Sequence, residues 1–309
     1  MPAPTRRGGG VAAVGFDPLP ITKETEGYNA KVVTRNVGVV AVLCAAFVIA
    51  SLRLAPEPGK GGTHPPAGAA RLLTAWMLAA CATLTVADVT ISARPYLDRE
   101  KKQVTNTPLG SFIYLTFQGV SLQFVVYVSN ALAETTLASH DCAATTRSSL
   151  CGVASRVLYA THAVAVFTAT VACIVCILFF ALVWFGPDFE VVRRFWDKHV
   201  GGFTEKMIRT HVVPFVLAIV DLMVVKRRGL LEKVPYNVVT VSLCYSAAYL
   251  ALVNAVSAMN GGFFPYPFMR AYLGRNLLRW VVFYLAASGF NIVVFSILHA
   301  MSQSYHVWP

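Results

Sequence analysis

The chain has 309 residues, 56% of them hydrophobic and only 13% charged, against about 25% charged in soluble domains. That apolar excess excludes a soluble globular protein, because no core of this size hides so much greasy surface. The net charge of +11 does not point to nucleic acid, since the lysines and arginines sit between long uncharged runs, where they set membrane topology. Residues 1–35, polar and rich in Gly, Pro and charge, are expected to form a disordered cytosolic tail with no secretory signal. The first apolar run covers about 36–54, and a Pro/Gly-rich linker, APEPGKGGTHPPAG, separates it from a second at about 70–92. Further runs follow at about 109–133, 157–185, 207–226, 234–259 and 277–301.

A spanning helix needs roughly 20 mainly apolar residues. The pattern therefore predicts an all-α polytopic transmembrane bundle over residues 36–309, with six or seven spans according to whether the first apolar segment crosses. Helices are required because no alternating strand pattern is present and lipid satisfies no exposed backbone group. The loops alternate in charge: 17 Lys and Arg fall on one side and 9 on the other. The more basic side, which includes the N-terminus, is expected in the cytoplasm. The protein is expected in an endomembrane, such as the endoplasmic reticulum, or in the plasma membrane, with the lipid bilayer as its partner. Cys142 and Cys151 share a loop on the non-cytosolic side, where a disulfide is open to them. Cys173 and Cys176 lie inside an apolar run and read as packing residues.

On a helix of 100° per residue, Thr116, Gln123, Tyr127 and Asn130 of the third span point within about 40° of one direction. A polar stripe on a greasy helix faces the bundle interior or a wet cavity. Two readings are open: interhelical hydrogen bonding, with Thr116 bonded to its own preceding turn, or a reactive hydroxyl. His211 opens the fifth span, and Asp221 lies about 15 Å further along that helix, too far to orient the imidazole. The third and fifth spans run in the same direction, so Thr116 and His211 share a leaflet. The segment GGFFPYPF, Gly261 to Phe268, follows the sixth span on that same side.

The strings YLTFQGVSLQ, THVVPFVLAIVD and GGFFPYPF, in that order, resemble the androgen-induced gene family of multi-pass membrane proteins over about residues 70–300. The resemblance implies an intramembrane threonine hydrolase that cleaves fatty acid esters of hydroxy fatty acids. By that likeness Thr116 is the nucleophile and His211 its general base, and a branched fatty acid ester is the substrate. Where many members carry Gly-Gly and Trp-Lys before the threonine, this chain has Leu109, Gly110, Phe112 and Ile113. Beside the pair, Gln123 or a backbone N–H near Gly261 and Gly262 is a candidate oxyanion donor. Tyr127 is a further candidate for substrate contact. Arg209, Arg270 and Arg275 are candidates for a fatty carboxylate, with topology as their alternative role, and Tyr266 and Pro267 for the pocket mouth. No metal or organic cofactor is expected, because His162 and His299 have no ligand partners at metal spacing. The alternative function is a non-enzymatic transporter or receptor-like bundle. A transporter would show paired broken helices or internal symmetry, whereas this sequence shows no internal repeat and a Gly/Pro interruption only at the loop after the sixth span.

Overall fold

Long apolar runs fold as helices because lipid offers their backbone groups no other partner. A computed structural model of the chain describes residues 16–18, 26–55, 68–91, 96–98, 103–105, 110–139, 142, 149–186, 193, 197, 202–231, 237–259, 264, 266, 269, 273 and 276–304. The long helices are α1 (Glu26–Leu54), α2 (Ala69–Ile91), α3 (Leu115–Ser139), α4 (Leu150–Trp184), α5 (Phe203–Val225), α6 (Val238–Met259) and α7 (Leu277–Ser304). Six of them, all but α3, are long and apolar enough to cross a membrane. The chain is thus an integral, multi-pass membrane protein with an all-α bundle. Three short antiparallel strands accompany it, β1 (Phe16–Pro18), β2 (Tyr96–Asp98) and β3 (Gln103–Thr105), ordered β1-β2-β3.

The N-terminal part of the chain departs from the sequence expectation. The strand at Phe16–Pro18 and the start of α1 at Glu26 both fall within the segment expected as a disordered tail. The first helix is also tied into the bundle. Asn36, fully buried, donates to Ser111 Oγ at 3.1 Å and accepts from the Ser111 backbone N–H at 2.7 Å. At the far end of α1, Arg156 donates to the Leu52 carbonyl at 2.8 Å.

Helix α3 is central, packed against α1, α2, α4 and α5. Its polar residues keep it out of the set of strongly apolar helices and also keep it away from lipid. Small residues let its neighbours approach. Ala75, Ala79 and Ala82 of α2 pack on Val126, Tyr127 and Ala131, the close helix approach that small side chains permit in membranes. On the α4 side, a Cβ at Gly119 would stand 3.2 Å from a methyl of Val171. Beyond α4 lies α7, contributing Val294, Phe295 and Leu298 to the shared core.

The C-terminal half of α3 carries a buried ionic network. Arg227 makes two bonds to the Glu134 carboxylate, Nη2 to Oε2 at 2.6 Å and Nε to Oε1 at 3.3 Å. Next to it, Lys226 Nζ donates to Asn130 Oδ1 at 2.9 Å and lies 3.5 Å from Asp221. The Arg227 backbone N–H donates to His162 Nε2 at 2.9 Å. His162 therefore carries its proton on Nδ1, which donates to the Leu158 carbonyl at 2.8 Å.

A disulfide joins Cys142 to Cys151 across the connection between α3 and α4, whereas Cys173 and Cys176 are free thiols. Alkylation of the unfolded chain, followed by mass spectrometry, is expected to modify Cys142 and Cys151 only after reduction.

Candidate active site

Thr116 is the second residue of α3, and its surroundings turn its hydroxyl outward from the helix. In an apolar medium a helical threonine normally bonds the carbonyl four residues back. Thr74, Thr83, Thr135, Thr168 and Thr170 all do so, at 2.7–2.9 Å. For Thr116 that carbonyl belongs to Phe112, and Gln118 Nε2 donates to it at 2.8 Å. The Gln118 amide oxygen in turn accepts from the Tyr245 hydroxyl at 3.2 Å. The first N–H of α3, that of Leu115, donates to the Tyr266 hydroxyl oxygen at 3.1 Å. With its own turn occupied, Thr116 Oγ1 faces His211 Nε2 at 3.3 Å. At that distance it is a long hydrogen bond.

His211 stands in a π turn, Ile208–Val212, that interrupts α5 just before Pro214. Proline has no N–H to return to the preceding turn, and the wider π winding accommodates that loss. The imidazole Nδ1 lies 3.0 Å from the Met207 carbonyl and 2.9 Å from Thr210 Oγ1. A carbonyl only accepts, so Nδ1 carries the proton and Nε2 presents its lone pair to Thr116. Thr210 can accept from the same N–H because its own hydroxyl donates to the Lys206 carbonyl at 2.9 Å. Phe179 stacks on the ring, with centroids 4.2 Å apart and planes inclined by 22°. The pair is thus a hydroxyl and a neutral imidazole, with a backbone carbonyl in the orienting position that a carboxylate often fills.

A family profile described as FAR-17a/AIG1-like protein matches residues 76–303. The chain belongs to the FAR-17a/AIG1-like family. The match begins within α2 and runs to the last turn of α7, with Thr116 and His211 inside it. Comparison with curated proteins and with solved structures gave no match.

In this FAR-17a/AIG1-like protein the remaining candidates separate. Tyr266 reaches the site, capping α3 beside Thr116 and packing edge-on against Tyr114. Gln123 is buried two turns further along α3, and its Nε2 donates to the Pro214 carbonyl at 2.6 Å. Tyr127 lies deeper, in the core between α2 and α3, within electrostatic reach of Asp221. Arg209 is exposed, and its guanidinium lies 3.8 Å from Glu205 rather than facing the pair. Asp221 pairs with Lys226 and does not touch His211. Arg270, Gly261, Gly262, Pro267 and Arg275 lie outside the described residues. No group of three or more His, Cys, Asp or Glu stands in metal-binding reach among the described residues.

Sequence reasoning passed over Phe179, Met207, Thr210, Gln118 and Tyr245. The Met207 contact is the one a pattern could have indicated, since it lies four residues before His211 on the same helix.

Proposed function

We propose that this protein is an intramembrane ester hydrolase acting on fatty acid esters of hydroxy fatty acids, with Thr116 as nucleophile and His211 as base. The reading is carried by the 3.3 Å approach of Thr116 Oγ1 to an imidazole nitrogen whose ring partner is fixed as the donor. Family membership is compatible with it. In the proposed reaction, His211 Nε2 takes the Thr116 proton as Oγ1 attacks the ester carbonyl. Collapse of the tetrahedral intermediate breaks the ester C–O bond. The leaving oxygen of the hydroxy fatty acid receives the proton from Nε2. Water then attacks the acyl-threonine, again giving a proton to Nε2, and that proton returns to Oγ1 as the fatty acid leaves. Thr116 sits on the first turn of α3, where the positive end of the helix dipole favours a developing oxyanion.

The test is fluorophosphonate labelling of the detergent-purified protein alongside hydrolysis of a fatty acid ester of a hydroxy fatty acid. Both are expected in the wild type and absent in a folded Thr116→Ala variant. Labelling that survives in Thr116→Ala would move the reactive residue elsewhere.

A further inference from the structure

We infer that Gln123 is a positioning residue for the base: it pins the backbone of α5 to α3 and so sets the approach of His211 to Thr116. The inference rests on the reading of Thr116 and His211 as nucleophile and base, and takes it one step further.

The need for such a pin follows from the local backbone. Pro214 donates no hydrogen bond to the turn before it, and that turn is wound as a π segment. A π turn next to a proline has lost part of the ladder that fixes helical register, so its own hydrogen bonds set the azimuth of His211 poorly. The bond from Nδ1 to the Met207 carbonyl belongs to the same segment and moves with it. The stack on Phe179 restrains the plane of the ring but allows it to slide. The bond from Gln123 Nε2 to the Pro214 carbonyl ties this part of the α5 backbone to α3.

The placement is economical. Gln123 lies seven residues from Thr116 on one face of α3, so roughly 10 Å of rigid helix joins the pin to the nucleophile. Pro214 lies three residues beyond His211. The two helices that carry the reacting groups are therefore fastened one to two turns away from them. The Gln123 side chain is 1% exposed, and in so dry a place a donor holds its acceptor more firmly than in water. An oxyanion role fits less well, because the amide nitrogen is engaged on α5, two turns along α3 from the Thr116 hydroxyl.

The test measures kcat and KM in four variants: Gln123→Met, Gln123→Glu, His211→Ala and the double variant Gln123→Met with His211→Ala. Methionine matches glutamine in length, fills the same space and donates nothing. Misplacing a catalytic group by about 1 Å costs about 100-fold, so Gln123→Met is expected to lower kcat by about 10- to 100-fold with KM little changed. Glutamate in its protonated form still offers an O–H to the Pro214 carbonyl and is expected to retain most of the rate. Once His211 is gone there is no base left to position, so adding Gln123→Met to His211→Ala is expected to change nothing further. Equal losses in both backgrounds would make Gln123 an independent contributor and overturn the inference. So would a Gln123→Met enzyme with the wild-type kcat, and either result leaves the nucleophile and base intact. Wild-type protein with no Thr116-dependent labelling would remove the proposed function and this inference together.

Discussion

On the proposed reaction, replacing His211 with alanine is expected to slow ester hydrolysis by about 10²- to 10⁴-fold, the usual contribution of a positioned general base. The loss should appear in kcat, with KM little altered, because the imidazole acts on a proton that moves only in the chemical step. The expectation comes from the orientation of the ring. Nδ1 lies against a carbonyl that only accepts, so the lone pair on Nε2 is directed at Thr116 without help from a carboxylate. Thr210 is a second acceptor for the same N–H, and removing it leaves the Met207 carbonyl in place. Thr210→Val should therefore cost no more than about tenfold, in line with the loss of one hydrogen bond. Single-turnover acylation measured in both variants checks the order. A Thr210→Val protein as impaired as His211→Ala would place the orienting group on the threonine instead.

Much of this architecture was legible because the membrane imposes two simple rules. Apolar runs of sufficient length become helices, and polar residues within them turn inward. The stripe on α3 obeyed the second rule: Gln123, Tyr127 and Asn130 are all buried. The direction of the spans then placed the N-terminal ends of α3 and α5 side by side, and there Thr116 and His211 meet. The stripe does not form one site, however. Gln123 goes to Pro214, Asn130 goes to Lys226 and Thr161, and Tyr127 joins the core. Residues that share a face of one helix are spread along its axis, and each meets whatever its neighbours offer at that depth.

What escaped the sequence depends on partners remote in the chain. Phe179 stacks on His211 from the end of α4, and nothing in the local spacing of ILFFALVWF marks it for that role. The π winding before Pro214 cannot be read from a periodicity counted at 100° per residue. The start of α1 was misplaced because Lys31 and Arg35 read as the edge of a polar tail. The helix continues through them, and Asn36 finds Ser111 across the bundle. Charge misled in the same way at the end of α3. The expected third span stopped at 133, just before Glu134, yet α3 runs on to Ser139 because Arg227 cancels that charge.

That cancellation gives the largest expected effect on stability. Glu134 is fully buried, and Arg227 is 7% exposed. Glu134→Ala would leave the guanidinium without its bidentate partner in a dry site. Breaking such a pair costs about 3–5 kcal/mol, more than the intact pair contributes over an apolar replacement. Arg71 is in electrostatic reach of both, so Arg227 without the Glu134 carboxylate would also face a like charge. Detergent-solubilised Glu134→Ala is therefore expected to melt well below the wild type, and Arg227→Met likewise. The double variant Glu134→Met with Arg227→Met removes both charges and should recover most of the loss, since apolar groups of similar volume often replace a buried pair at little cost. Full recovery would mean that the pair serves register between α3 and the end of α5 rather than net stability. Single variants that melt like the wild type would show that the two side chains do not meet in the membrane. The site lies roughly 27 Å away along α3, counted from Thr116 to Glu134. Residual labelling of Thr116 in the folded fraction of each variant should accordingly stay at the wild-type level, which separates loss of fold from loss of chemistry.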